Sequence, residues 1–149
     1  MNKFMAMAIE EAKQGITNGE GGPFGCVIVK NGEVVGKGHN EVIKHNDPTC
    51  HGEITAIRNA CAKLKTYDLS GCELYTTGQP CPMCLGAILW SNISKVYYGC
   101  SIDDAEKIGF RDKKFFESAE KCITSIELDK AECQKLFEQY QKLNNKKMY

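Results

Sequence analysis

The sequence predicts one α/β domain, a mixed five-stranded sheet covered by helices on both faces in a three-layer α-β-α sandwich. Three observations predict it. The 149 residues fit a single core. Asn31-Gly32 between two apolar runs marks a tight hairpin, which makes the first two strands antiparallel neighbours. After that hairpin, helical and strand patterns alternate, and such crossover units lay helices over a sheet.

Taken in order, Phe4, Met5, Ala8, Ile9, Ala12 and Ile16 recur at helical spacing and predict an amphipathic first helix. NGEGGPFG (18–25) is a glycine-rich turn into strands at 24–30 and 33–39. HNDPT (45–49) reads as a loop. HGEITAIRNACAKLK places Ile54, Ile57, Ala60, Cys61 and Leu64 on a helix packed on the sheet. CELYTT (72–77) is a strand, and PMCLGAILW (82–90) is a short helix with Pro82 in its first turn. KVYYGC (95–100) and CITSIEL (122–128) are predicted as the fourth and fifth strands, with a helix between them. A closing helix over 129–143 carries Cys133, Leu136, Tyr140 and Leu143 on one stripe. There is no repeat or linker, so residues 1–149 form one domain.

Nineteen basic residues balance nineteen acidic ones, so bulk charge directs the chain to neither nucleic acid nor membrane. No apolar run reaches the roughly 18 residues of a membrane span. Glu10 and Glu11 interrupt the N-terminal apolar residues where a signal peptide would continue. The expected compartment is the cytoplasm. There a disulfide framework is not expected from the nine cysteines. Cys26, Cys61, Cys72, Cys100, Cys122 and Cys133 read as small core residues. Only Cys81 and Cys84 have metal-ligand spacing, while Cys50 sits beside His51.

CHGEI (50–54) and PCPMC (80–84) each open a helix. Cys81 and Cys84, at i and i+3, share a helical face, and a helix N-terminus favours the thiolates that a metal needs. One nitrogen and two sulfurs match zinc, and three protein ligands leave the fourth position open. Glu53, two residues after His51, is then placed to take and pass a proton. Alone, each fragment is weak. A CxxC also fits redox or structural zinc, and a structural site would draw a fourth ligand from His39, His45 or Cys50.

The joint H-x-E…P-C-x-x-C pattern is identified as that of the zinc deaminases. The chain resembles the cytidine deaminase superfamily, and within it the bacterial guanine deaminases. The similarity runs through GGPFGCVIVKNG, GHN, NDPTCHGEITAIRNAC, LYTTGQPCPMCLGAILW, DDAEKIGF and KKMY. It implies a cytidine deaminase-like fold, zinc on His51, Cys81 and Cys84, and proton transfer by Glu53. It further implies that Asn40 hydrogen-bonds a flat base, that Phe24 stacks on it, and that Gly25 lets backbone come close. Trp90, Asp112 and Tyr149 would complete the active site, the tail being exchanged between the subunits of a homodimer. The implied reaction is deamination of a free nucleobase, guanine to xanthine and ammonia.

Three positions depart from the common pattern: Gly52 where alanine is usual, Gln79 where glutamate often precedes PC, and Arg111 before Asp112. HGE also occurs in fungal-type cytosine deaminases, so cytosine is the rival substrate. The tRNA adenosine deaminases share DPT-x-H-x-E and PCPMC, but their tails are usually basic and lack the aromatic end. A zinc-stabilised binding module without turnover is the non-enzymatic alternative.

Overall fold

A computed structural model describes residues 1–149. The chain runs α1 (Lys3–Thr17), β1 (Gly25–Lys30), β2 (Glu33–His39), α2 (Val42–His45), α3 (Gly52–Leu64), β3 (Cys72–Gly78), α4 (Pro82–Trp90), β4 (Lys95–Cys100), α5 (Ile102–Lys107), α6 (Asp112–Cys122) and α7 (Lys130–Gln141). The sheet is mixed, in the order β2-β1-β3-β4. β1 is antiparallel to both β2 and β3, whereas β3 and β4 are parallel and joined through α4. Asn31 and Gly32 both take positive φ (50° and 79°), the backbone that a type I′ hairpin turn requires.

Side-chain alternation along β1 splits the core in two. Cys26 and Ile28 face α3 and α4 with Leu74, Ala56, Ala60 and Ile88. Val27 and Val29 face the other way, against Ala8 of α1 and Tyr75. Each fully buried aliphatic side chain contributes about 1.5–3 kcal/mol, so both helical layers are secured by the same strand. Close approach fixes the α1 layer further. A Cβ on Gly25 would lie 2.0 Å from the Ala8 carbonyl oxygen, so only glycine lets β1 meet this helix.

The structure corrects the expectations at four points. The sheet has four strands, not five. Ile123 is extended (φ −135°, ψ 136°), but CITSIEL finds no neighbouring strand, and Ile123, Ile126 and Leu128 lie exposed. Strand-forming residues do not make a strand without a ladder partner. Second, α1 buries Glu11 and Gly15 along with Ala8 and Ala12, while Ile16 is exposed. The true inner face is rotated toward a polar contact that an apolar count misses. Third, Cys100, Cys122 and Cys133 are exposed, because they lie at the end of the edge strand and in the C-terminal helices. Cys26 and Cys72 are buried as expected, and Cys61 is half-buried. Fourth, the helix ends at Gln141, so that Leu143 lies beyond it, and the predicted stripe of Cys133, Leu136, Tyr140 and Leu143 meets solvent rather than a core.

Candidate active site

Two helix beginnings meet at one point. His51 is the N-cap of α3 and Cys81 the N-cap of α4, both with extended backbone. Neither side chain caps its own helix, which leaves both free to point inward together. Cys84, one turn into α4, is fully buried beneath them. His51 Nδ1 lies 3.6 Å from Cys81 Sγ and 3.6 Å from Cys84 Sγ. In tetrahedral zinc sites with Zn–S of about 2.3 Å and Zn–N of about 2.0–2.1 Å, such donors stand about 3.6 Å apart. The residues present therefore fit zinc in both donor type and spacing.

No fourth histidine, cysteine or carboxylate joins this donor group. His45 and Cys50 instead converge with Glu41, and His39 with Glu20 and Glu41. The three residues considered as a fourth structural ligand thus lie in other clusters.

Electrostatics at the three donors follows from one shared proton. A hydrogen bond from the Cys84 thiol, with help from His51, lowers the Cys81 thiol to about 4 against the opposing effect of burial. The Cys81 thiolate and burial push the Cys84 thiol far up in turn. Both sulfurs must be thiolates on zinc, so metal uptake releases the Cys84 proton. Glu53 lies directly behind, buried, with Thr76 Oγ1 donating to one carboxylate oxygen at 3.2 Å. The Cys84 sulfur is 3.4 Å from the other. Burial raises the Glu53 carboxyl above its ordinary value, more than its hydrogen bonds lower it. A carboxylate brought toward neutrality in a cleft is suited to carrying a proton.

A cavity of about 360 Å³ opens over His51, Glu53 and Cys81, within the range of about 300–1,000 Å³ typical of small-molecule sites. Phe24, Asn40 and Asp112 line it. The Asn40 N–H donates to the Phe24 carbonyl at 2.8 Å, and Asn40 Oδ1 accepts from Val42 N–H at 3.2 Å. The amide is thereby oriented at the wall. Asp112 begins α6, where burial and the Cys81 thiolate raise its carboxyl.

Three expected residues stand elsewhere in this chain. Gly25 packs on α1, its N–H held by Thr77 Oγ1 at 3.1 Å. Trp90 and Tyr149 face each other 6.0 Å apart across a separate surface groove. Phe110 joins the site without a motif of its own in the sequence. Its ring meets Phe24 edge to face at 4.8 Å and lines the cavity. The aromatic ending IGF was visible, but only the fold sets it opposite Phe24. Two departures also acquire settings. Gln79 lines the cavity and accepts from Ile102 N–H at 3.2 Å. At Gly52 a Cβ would stand 3.0 Å from the Phe24 carbonyl oxygen, so glycine relieves a tight contact there.

An α/β sheet that gathers a histidine, a CxxC pair and a buried glutamate under a base-sized cavity defines a zinc-dependent deaminase. The chain belongs to the family of the cytidine and deoxycytidylate deaminase zinc-binding region, whose model matches residues 1–100. The chain is 41% identical to guanine deaminase of Bacillus subtilis over 98% of this chain and 97% of that protein. The crystal structure of the Bacillus enzyme superimposes with a TM-score of 0.93, covering 100% of this chain and 99% of that one. The tRNA-specific adenosine deaminase of Aquifex aeolicus is 47% identical, over 64% of this chain and 62% of that protein. A solved guanine deaminase of Nitrosomonas europaea gives a TM-score of 0.68 at 35% identity, covering 72% of this chain and 62% of that one.

Proposed function

We propose that this chain hydrolyses free guanine to xanthine and ammonia. The observation that carries the reading is the extent of the likeness. The guanine deaminase structure superimposes on 100% of this chain, tail included, with a TM-score of 0.93, whereas the solved tRNA:A34 deaminase covers 66% of it with a TM-score of 0.63. The tRNA-specific adenosine deaminases whose sequences match over 92% and 96% of the chain are 38% identical, against 41% for guanine deaminase. The balanced charge agrees, since nothing in bulk draws a tRNA backbone.

Held by His51, Cys81 and Cys84, zinc would supply a hydrolytic nucleophile at neutral pH. The chain's own residues do the rest. Phe24 and Phe110 present aromatic surface to the flat base, and Asn40 hydrogen-bonds its edge. Glu53 accepts a proton at the carboxylate near Cys84 and delivers it toward the departing amino group. In sum a C–O bond forms, the C–N bond breaks, one water is consumed and one ammonia leaves.

The finer reading is a homodimer in which the C-terminal tail crosses to the partner and brings Tyr149 over its site, with Trp90 beside it. Its support is exposure. Residues 120–149 are all exposed, yet they carry Ile126, Leu128, Leu136, Phe137 and Tyr140. An isolated chain leaves that apolar surface in water, and contiguous exposure of this kind marks an interface. No helix is long and apolar enough to cross a membrane, so a bilayer-spanning role does not account for it. The compartment proposed is the cytoplasm.

Ammonia release from guanine, cytosine, adenine and adenosine tests the reading, with Glu53→Ala as control. Guanine is expected to turn over and cytosine not. Cytosine turnover without guanine turnover would replace the substrate, and no ammonia from any base would leave a binding module. The same assay on a chain lacking residues 146–149 tests the tail. Guanine turnover is expected to fall sharply with zinc content and melting nearly unchanged, and full activity would refute the tail's role.

A further inference from the structure

His39 ends β2 immediately before Asn40, and it is buried although it carries no part of the zinc site. Its ring lies on α1, where a Cβ at Gly15 would come within 2.6 Å of it. Nδ1 faces Glu11 Oε2 at 3.2 Å, and Nε2 faces a carboxylate oxygen of Glu20, with Glu41 Oε1 behind at 3.8 Å. Both ring nitrogens therefore point at carboxylates. A neutral imidazole has one lone pair and would aim it at an anion; only the doubly protonated ring donates from both sides.

The surrounding charges close the account. Lys37 of β2 holds Glu11 at 2.7 Å. Lys44 of α2 reaches Glu20 at 3.1 Å and Glu41 at 2.7 Å. His45 stands 3.5 Å from Glu41 on the exposed side. α3 places Gly52 beside the His39 Cα and gives the ring no ion pair. Three carboxylates thus face two lysines and His39, and loss of the imidazole proton leaves one half-buried negative charge uncompensated.

Glu20 is also the anchor of the cavity rim. Its carbonyl accepts from Ile43 N–H at 3.0 Å and from Lys44 N–H at 3.1 Å, and its N–H donates to Gly15. Ile43 and Val42 line the cavity on one side of this anchor, Gly22 and Phe24 on the other.

We propose that His39, as an imidazolium between Glu11 and Glu20, is a positioning residue for base recognition, fixing the Gly21–Phe24 rim and Asn40 so that base affinity falls when the ring loses its proton. This rests on the reading of the cavity as the base site. Burial alone would lower the pKa of His39, but the hydrogen bonds to Glu20 and Glu11 more than offset it and raise it overall. The stabilisation is therefore complete below the unfolded value of about 6.5 and is lost as pH rises through the higher folded value. The KM for guanine should rise on the alkaline side, while kcat, set by Glu53 and the metal, stays within about threefold.

Two measurements on the holoenzyme decide it. Two-bond ¹H–¹⁵N spectra at pH 7 should show both His39 nitrogens protonated, the signals assigned by their loss in His39→Gln. In Glu20→Gln the ring titration and the alkaline limb of kcat/KM should move together to lower pH by about one unit, because a carboxylate partner is gone. Ionisation of guanine itself is common to both proteins and drops out of the difference. A neutral ring at pH 7, or guanine turnover with an unmoved limb in Glu20→Gln, overturns the role of His39 alone. A wild type that neither binds nor deaminates guanine defeats the base-site reading instead, and the recognition role with it.

Discussion

Glu53→Gln should retain one zinc per chain and lose about 10²–10⁴-fold in guanine turnover, the usual contribution of a general acid–base group. The substitution is nearly isosteric, and Thr76 Oγ1 can still donate to the amide oxygen at the position where it now meets Oε1. Folding is therefore preserved, as thermal unfolding should show. The loss falls on kcat, because Glu53 lies beside the donor group rather than at the aromatic rim. Glutamine cannot carry a proton between two sites, whatever its position. Turnover within about threefold of the parent would rule the role out.

Cys84→Ala should remove both the metal and the activity. Cys84 is wholly buried and 3.6 Å from His51 Nδ1, so it closes the donor set from beneath, and alanine leaves no sulfur there. With two donors left, zinc should be lost on dialysis and turnover should drop to the level of the metal-free protein. The parent, measured by elemental analysis, should hold one zinc per chain and lose it in acid, since His51 and both thiolates bind metal only when deprotonated. A Cys84→Ala protein that keeps stoichiometric zinc would show that another group supplies the ligand and that the site was misassigned.

The first hundred residues were largely legible in the sequence because their local signals agree with the tertiary result. Asn31-Gly32 permits only a tight turn, β1 alternates between two cores, and Pro82 starts α4 as its fixed φ allows. The metal ligands were legible for a similar reason: CxxC at a helix start needs no knowledge of the partner element to place both sulfurs on one side. His51 joined them only through the paired pattern.

What escaped the sequence depends on long-range packing. CITSIEL has strand chemistry, but a strand is a relation between two segments, and this one meets none in its own chain. Glu11 and Gly15 looked like the solvent face of α1 because a periodicity count rewards apolar residues, whereas here the inner face receives a charged ring. Phe110 is separated from Phe24 by most of the domain, and only the course of the chain after β4 and α5 brings the two rings together. Trp90 and Tyr149 sit apart from the cavity in the single chain, so the role that sequence likeness implies for them rests on the proposed dimer.

Deamination at this site requires that water be added to guanine and its amino group expelled. Incubating the purified holoenzyme with guanine in ¹⁸O-labelled water, with mass spectrometry of the purine and assay of ammonia, measures that directly. Xanthine carrying one ¹⁸O, formed in equal amount to ammonia and absent with Glu53→Gln, is the predicted result. Guanine recovered unchanged, or a product without ¹⁸O, would contradict it.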